Sequence, residues 1–131
     1  MTIIMEPIGF VRSPFKDKED ILGSDTANTL ATIRINESFA EGIADIKPGD
    51  RMIVVFYFDR STEALLTVPL MGVGPMVGVF SSHSPTRPNF IGITESTIED
   101  VKGLNLSIRG CDMLDNTPVL DLKPLPTKTE Q

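Results

Sequence analysis

Apolar residues recur in short runs along nearly the whole chain, mostly at a period of two. Ile3 to Val11 alternates loosely and predicts a strand that stops at Ser13-Pro14. Thr29 to Asn36 alternates cleanly, with Ala31, Ile33 and Ile35 on one side and Leu30, Thr32 and Arg34 on the other. Met52 to Phe58, MIVVFYF, is the most continuous apolar run and predicts a strand buried on both faces, either in the core or at a dimer seam. Further strands are expected at Glu63–Leu70, Val77–Phe80, Phe90–Ile98, Leu104–Cys111 and Val119–Leu122. Only Glu37–Ile46 reads as a helix, with Phe39, Ala40, Ile43 and Ile46 at helical spacing behind a possible Asn36 cap, although Gly42 weakens it. The stretch 15–28 is a polar surface loop, and the tail from Thr127 is expected to fray. About eight short strands and one short helix predict a mainly all-β fold, a single sheet closed or nearly closed into a barrel. No linker divides the chain, so residues 1–131 form a single domain.

Composition narrows the function classes. The net charge of −6 opposes binding of long nucleic acid by phosphate neutralisation, although a local basic patch stays possible. Cys111 is the only cysteine, which rules out an intramolecular disulfide and a cysteine-rich zinc site. No metal site is expected, because one histidine leaves only carboxylates as ligands. No apolar stretch reaches the roughly 18 residues of a membrane helix, and the N-terminus lacks the pattern of a signal peptide. A cytoplasmic protein with no membrane partner is the expectation.

Chemistry concentrates in residues 77–96, VGVFSSHSPTRPNFIGITES. Pro85 and Pro88 fix their own φ and push Ser84 and Arg87 towards extended backbone, so this polar loop is stiff. It holds the only histidine, His83, between two apolar runs. A stiff polar loop on buried strands suits a ligand site, and it equally suits an ordinary connection rich in turn formers. A second polar corner carries Asp112 and Asp115, and Asp115-Asn116-Thr117-Pro118 has the composition of a turn. Asp121 sits between Leu120 and Leu122, where a half-buried carboxylate needs a partner: Lys123, Arg87, Arg109 or a ligand. Covalent catalysis is poorly supported, since no G-x-S-x-G elbow occurs.

These two corners carry a resemblance. GVFSSHSPTRPNFIGIT followed by DNTPVLDLKPLP resembles the TsaA-like, or TrmO, family, whose pattern runs close to G-V-F-A-T-R-S-P-x-R-P-N-P-I-G-L-S and D-G-T-P-V-L-D-I-K-P-Y. The opening IGFVRSPFK is similar to the start of the same family, so the likeness spans nearly the whole chain. It implies a single-sheeted β-barrel, S-adenosyl-L-methionine as cofactor near the interface of a homodimer, and N-methylation of a threonylcarbamoyl-adenosine in tRNA. By position it implies cofactor contacts from Phe80, Ser84, Pro85, Arg87, Asn89, Ile91 and Gly92, and from Asp115, Thr117, Pro118 and Lys123. His83 or Asp121 would take the acceptor's proton. The chain departs from the pattern at His83 for Arg, at Phe90 for Pro, at Ile93-Thr94 for Leu-Ser and at Leu125 for Tyr. These changes remove positive charge and polar contacts. Three functions therefore compete: a tRNA methyltransferase, a methyltransferase of a small molecule, and a silent S-adenosylmethionine- or nucleotide-binding module.

Overall fold

The computed structural model describes residues 1–126; the tail expected to fray lies outside the described residues. Eight strands form: β1 (Gly9–Arg12), β2 (Leu30–Ile35), β3 (Arg51–Tyr57), β4 (Thr67–Pro69), β5 (Met76–Gly78), β6 (Ile91–Lys102), β7 (Asn105–Arg109) and β8 (Pro118–Pro124). Six of them close a barrel in the order β1-β2-β7-β6-β3-β8, with β8 pairing back onto β1. Every neighbouring pair is antiparallel. The other two, β4 and β5, form a separate hairpin inserted between β3 and β6.

Period-two alternation fills the barrel from one face of each strand. Val11, Ile33, Ile35, Val54, Leu106, Ile108 and Val119 are fully buried in one cluster, with Met52 and Phe56 nearly so. The expectation that β3 is buried on both faces needs correction: Met52, Val54 and Phe56 point inward, while Ile53, Val55 and Tyr57 are only half-buried. An antiparallel barrel strand has one lumen face, and among the described residues the other is only partly covered.

Two helical expectations also change. Glu37–Ile43 is a 3-10 helix, held by bonds of the i to i+3 kind such as Phe39 N–H to Asn36 O at 2.9 Å. Gly42 weakens α-helical propensity in this segment, and short i to i+3 turns take its place. The α-turn lies instead at Lys18–Ile21, inside the polar loop, where Asp20 accepts from the Asp17 and Lys16 backbone N–H groups. The apolar stretch before β1 does not extend the strand, because Ile3, Ile4 and Met5 are exposed.

The topology puts three connections at one end, and the connection 36–50 at the other. Segments 13–29, 58–90 and 110–117 all emerge where β1, β3 and β7 finish. Both polar corners singled out in the sequence therefore sit at the same rim. Phe90 marks the return of the inserted segment, with φ 54° and its ring edge-on to Tyr57 at 6.2 Å. A bulky residue at positive φ is strained. It is held there because Phe90 N–H donates to Arg87 O and Phe90 O accepts from Phe58 N–H at 2.7 Å. The family pattern has proline at this position, and a proline ring cannot adopt that φ. Phe90→Pro is expected to destabilise the chain by more than about 1 kcal/mol, read as a lower urea midpoint at unchanged slope. An unchanged midpoint would show that this corner does not require positive φ.

Candidate functional site

The inserted segment is stiffened by its own hydroxyls as well as by its prolines. Ser82 Oγ donates to Val79 O at 2.8 Å, and Ser84 Oγ bonds Thr86 Oγ1 at 2.8 Å. Arg87 threads back through the loop: its Nη1 donates to Ser82 O at 2.9 Å and Ser84 O at 3.2 Å. Carbonyls rather than a carboxylate hold this guanidinium, so its full charge remains available to a ligand.

Arg87 borders a groove of about 410 Å³ at the barrel rim. One wall is aromatic, with Phe56, Phe58 and Phe80, while the polar side carries His83, Arg87 and Asp112. Gly92 forms part of the floor. A Cβ there would lie 2.5 Å from Phe56 Cζ and 2.7 Å from Phe58 Cζ, so the two rings, 4.9 Å apart and edge to face, fill the space of the missing side chain. Ile91 and Ile93 complete the strand side. A second hollow of about 290 Å³ shares His83, Ile93 and Asp112 with the first and adds Thr26, Thr94 and Glu95.

The corner 110–117 reaches the groove through Asp112. Its Oδ1 accepts from Thr94 Oγ1. Gly110, at φ 95°, turns the chain here; its N–H bonds Thr29 O and its carbonyl accepts from buried Ser96 Oγ at 2.6 Å. Cys111 and Met113 point into the core, and burial pushes the Cys111 thiol up to about 11.

Of the first corner, then, Phe80, His83, Arg87, Ile91 and Gly92 line the groove. Ser84 braces the loop from within, while Pro85 and Asn89 are exposed outside the lining. The second corner differs more. Thr117 is buried and closes a turn onto Leu114 O at 2.7 Å, and Pro118 opens β8. Asp121 is not half-buried: it is exposed on the outer wall, and its carboxylate accepts from the Leu122 N–H at 2.9 Å. It stands two strands from Ile93, in register through Val55, and Lys123 is exposed on the same wall. Neither lines the groove of its own chain. A bulge at Leu120 explains this: it breaks the alternation, so that Val119 faces inward and Asp121 outward. Asp112 was legible only as one carboxylate among three, and Phe56 and Phe58 read as core because the sequence does not show which end of a run reaches a rim.

Asp115 acts as a clasp behind the site. Its carboxylate accepts from Ser13 N–H at 2.9 Å and Lys16 Nζ at 2.7 Å, its carbonyl from Arg60, and its N–H donates to Phe15 O. It thereby ties together all three rim segments.

Residues 10–131 match the family described as the tRNA-methyltransferase O N-terminal domain. The chain belongs to this family. A probable S-adenosyl-L-methionine-binding protein of Pyrococcus abyssi is 38% identical over 95% of this chain and 68% of its own length. An S-adenosyl-L-methionine-binding protein of Archaeoglobus fulgidus is 34% identical over 92% of this chain and 88% of its own. The human tRNA (adenine(37)-N6)-methyltransferase is 31% identical over 93% of this chain, which spans only 30% of that enzyme. A crystal structure of TrmO superposes with TM-score 0.81 at 30% identity, over 96% of this chain and 58% of that one. The barrel of the TrmO family is thus shared. No helix among the described residues is long and apolar enough to cross a membrane.

The clasp gives a pH signature. The Lys16 bond, then the Ser13 N–H, hold the Asp115 carboxyl below its ordinary value. A carboxylate lowered by folding stabilises the fold above its unfolded pKa of about 3.9 and loses that contribution as pH falls through the lower folded value. Asp115→Asn is expected to cost about 1 kcal/mol at pH 7, with the gap to wild type closing below about pH 4. Thermal unfolding of both proteins from pH 2 to 7 checks this; a gap independent of pH would exclude the carboxylate as its source.

Proposed function

We propose that the chain is an S-adenosylmethionine-dependent N-methyltransferase acting on the threonylcarbamoyl-adenosine of tRNA. The observation that carries this is the groove where an aromatic wall, one guanidinium, one carboxylate and one imidazole converge. This set fits the cofactor's parts. Phe56, Phe58 and Phe80 offer faces to an adenine and to a sulfonium cation. Arg87 suits the cofactor's carboxylate, and Asp112 its amine or a ribose hydroxyl. The bound cofactor supplies an already activated methyl group, so the protein's task is alignment and dehydration. Gly92 keeps the floor low enough for a ligand to lie against the rings. A nitrogen acceptor sheds a proton, and His83, placed between groove and hollow, is the group positioned to take it at an imidazole nitrogen. Asp121 is too remote on the outer wall for that role within one subunit.

The names of the archaeal relatives favour a second reading, a module that binds the cofactor without turnover. Titration calorimetry followed by transfer of labelled methyl separates the two. Wild type is expected to bind S-adenosylmethionine, with Arg87→Ala weaker by about tenfold, or 1.4 kcal/mol, and to methylate an anticodon stem-loop carrying threonylcarbamoyl-adenosine. Binding without transfer to that RNA would favour the module; no binding would end both readings.

The same proposal includes a homodimer. The inserted hairpin exposes Leu66, Met71, Val73 and Met76, and Phe80, itself 75% exposed, continues that apolar surface into the groove wall. An apolar patch of this kind marks an interface. A second copy seated there would close the groove's open side. Light scattering is expected to give twice the chain mass, and Met71→Glu with Val73→Glu the single mass; a wild-type monomer at all concentrations overturns it.

A further inference from the structure

A third and larger depression, about 580 Å³, lies outside the cofactor groove on the outer wall of β1, β2 and β7. Arg12, Lys16 and Arg109 border it together with Glu99 and Asp115, and Thr32 and Ser107 supply hydroxyls. Arg34 stands beside Arg12, because Arg12 faces Thr32 across β1 and β2 and Arg34 lies two residues on. Lys102 lies at the far edge of the wall, opposite Asn105.

The charges on this wall do not cancel. Lys16 pairs with Asp115, Arg109 with Glu99, and Lys102 with Asp100. Arg12 contributes to the field on Asp115 without reaching ion-pair distance. Among the described residues neither Arg12 nor Arg34 has a carboxylate within 4.0 Å, and both are exposed. In a chain of net charge −6, two uncommitted guanidiniums at diagonal positions of β1 and β2 make a local positive surface.

That surface is continuous with the site along β6. Outward residues alternate down this strand: Ile93 borders the cofactor groove and the hollow, Glu95 the hollow, and Glu99 the basic groove. Ile93 to Glu99 covers roughly 20 Å of strand. The path changes sign on the way. Glu95 in the hollow, 3.9 Å from Arg51, is an acceptor for an amino N–H group, whereas Arg12 and Arg34 at the far end attract phosphate. A polynucleotide satisfies both ends at once, with a base in the hollow and its backbone on the arginines.

We propose that Arg12 and Arg34, on the outer wall of β1 and β2, hold the phosphodiester backbone of an RNA whose target base enters the hollow beside the cofactor groove. This rests on the methyltransferase reading and adds the surface that carries the acceptor strand.

The test uses the full chain and a fluorescent anticodon stem-loop RNA, with anisotropy measured from 50 to 200 mM salt. Single-stranded RNA releases about 0.7 counterion per neutralised phosphate. Arg12→Ala with Arg34→Ala is expected to weaken binding by about tenfold at the lowest salt and to flatten the log–log salt slope by about 1.4. Lys47→Ala, on the turn at the opposite barrel end, leaves both unchanged. Cofactor affinity by calorimetry stays at the wild-type value in the double variant, so loss of cofactor binding in wild type would fault the enzyme reading and not this surface. A double variant that matches wild type in affinity and slope, or a wild type that fails to bind the RNA, overturns the proposal.

Discussion

Closure of β8 onto both β1 and β3 is the constraint from which the rest follows. A six-stranded barrel filled by Ile33, Val54, Leu106 and Ile108 has no room for a ligand inside. Chemistry is therefore confined to the rim and the outer wall. The antiparallel order then decides which rim, because three connections leave from one end. The interior supplies rigidity, and the rim segments supply the functional groups.

At that rim the parts support one another. Asp115 ties segment 13–16 to 60 and to 110–117, and the last of these carries Asp112 to the groove. Arg87 bonds the carbonyls of its own loop and so keeps His83 at the boundary between the two hollows. Gly92 lets the rings of Phe56 and Phe58 cross the end of the sheet. The motif residues divide in this way between those that face a ligand and those that hold the facing ones still.

Alternation made most of the barrel legible. Ala31, Ile33 and Ile35 face inward as their spacing demands, and β2 ends within a residue of expectation. The hairpin of β4 and β5 was visible as two strands but not as a separate sheet, since a strand's period does not name its partner. The helix at 37–46 and the quiet loop at 15–28 misled because local bonding decided both: i to i+3 turns in the first, an aspartate cap in the second. Of the first corner, Phe80, His83, Arg87, Ile91 and Gly92 border one groove, because the inserted segment returns to the rim where β6 begins. The second corner was not legible as a unit. Asp115, Thr117 and Asp121 share a motif, but a tight turn and a bulge point them in three directions, leaving Asp112 to face the groove.

One consequence concerns Cys111. Its sulfur is sealed beneath the rim, 1% exposed, with the thiol held protonated far above neutrality. Electrophilic labels attack thiolates, so the native chain is effectively blank to maleimides. A cysteine introduced on the loop after β1, at Leu22 for instance, which is 78% exposed, would be the single addressable position. Spin or fluorescent probes attached there could follow the movement of that loop with the native thiol left in place.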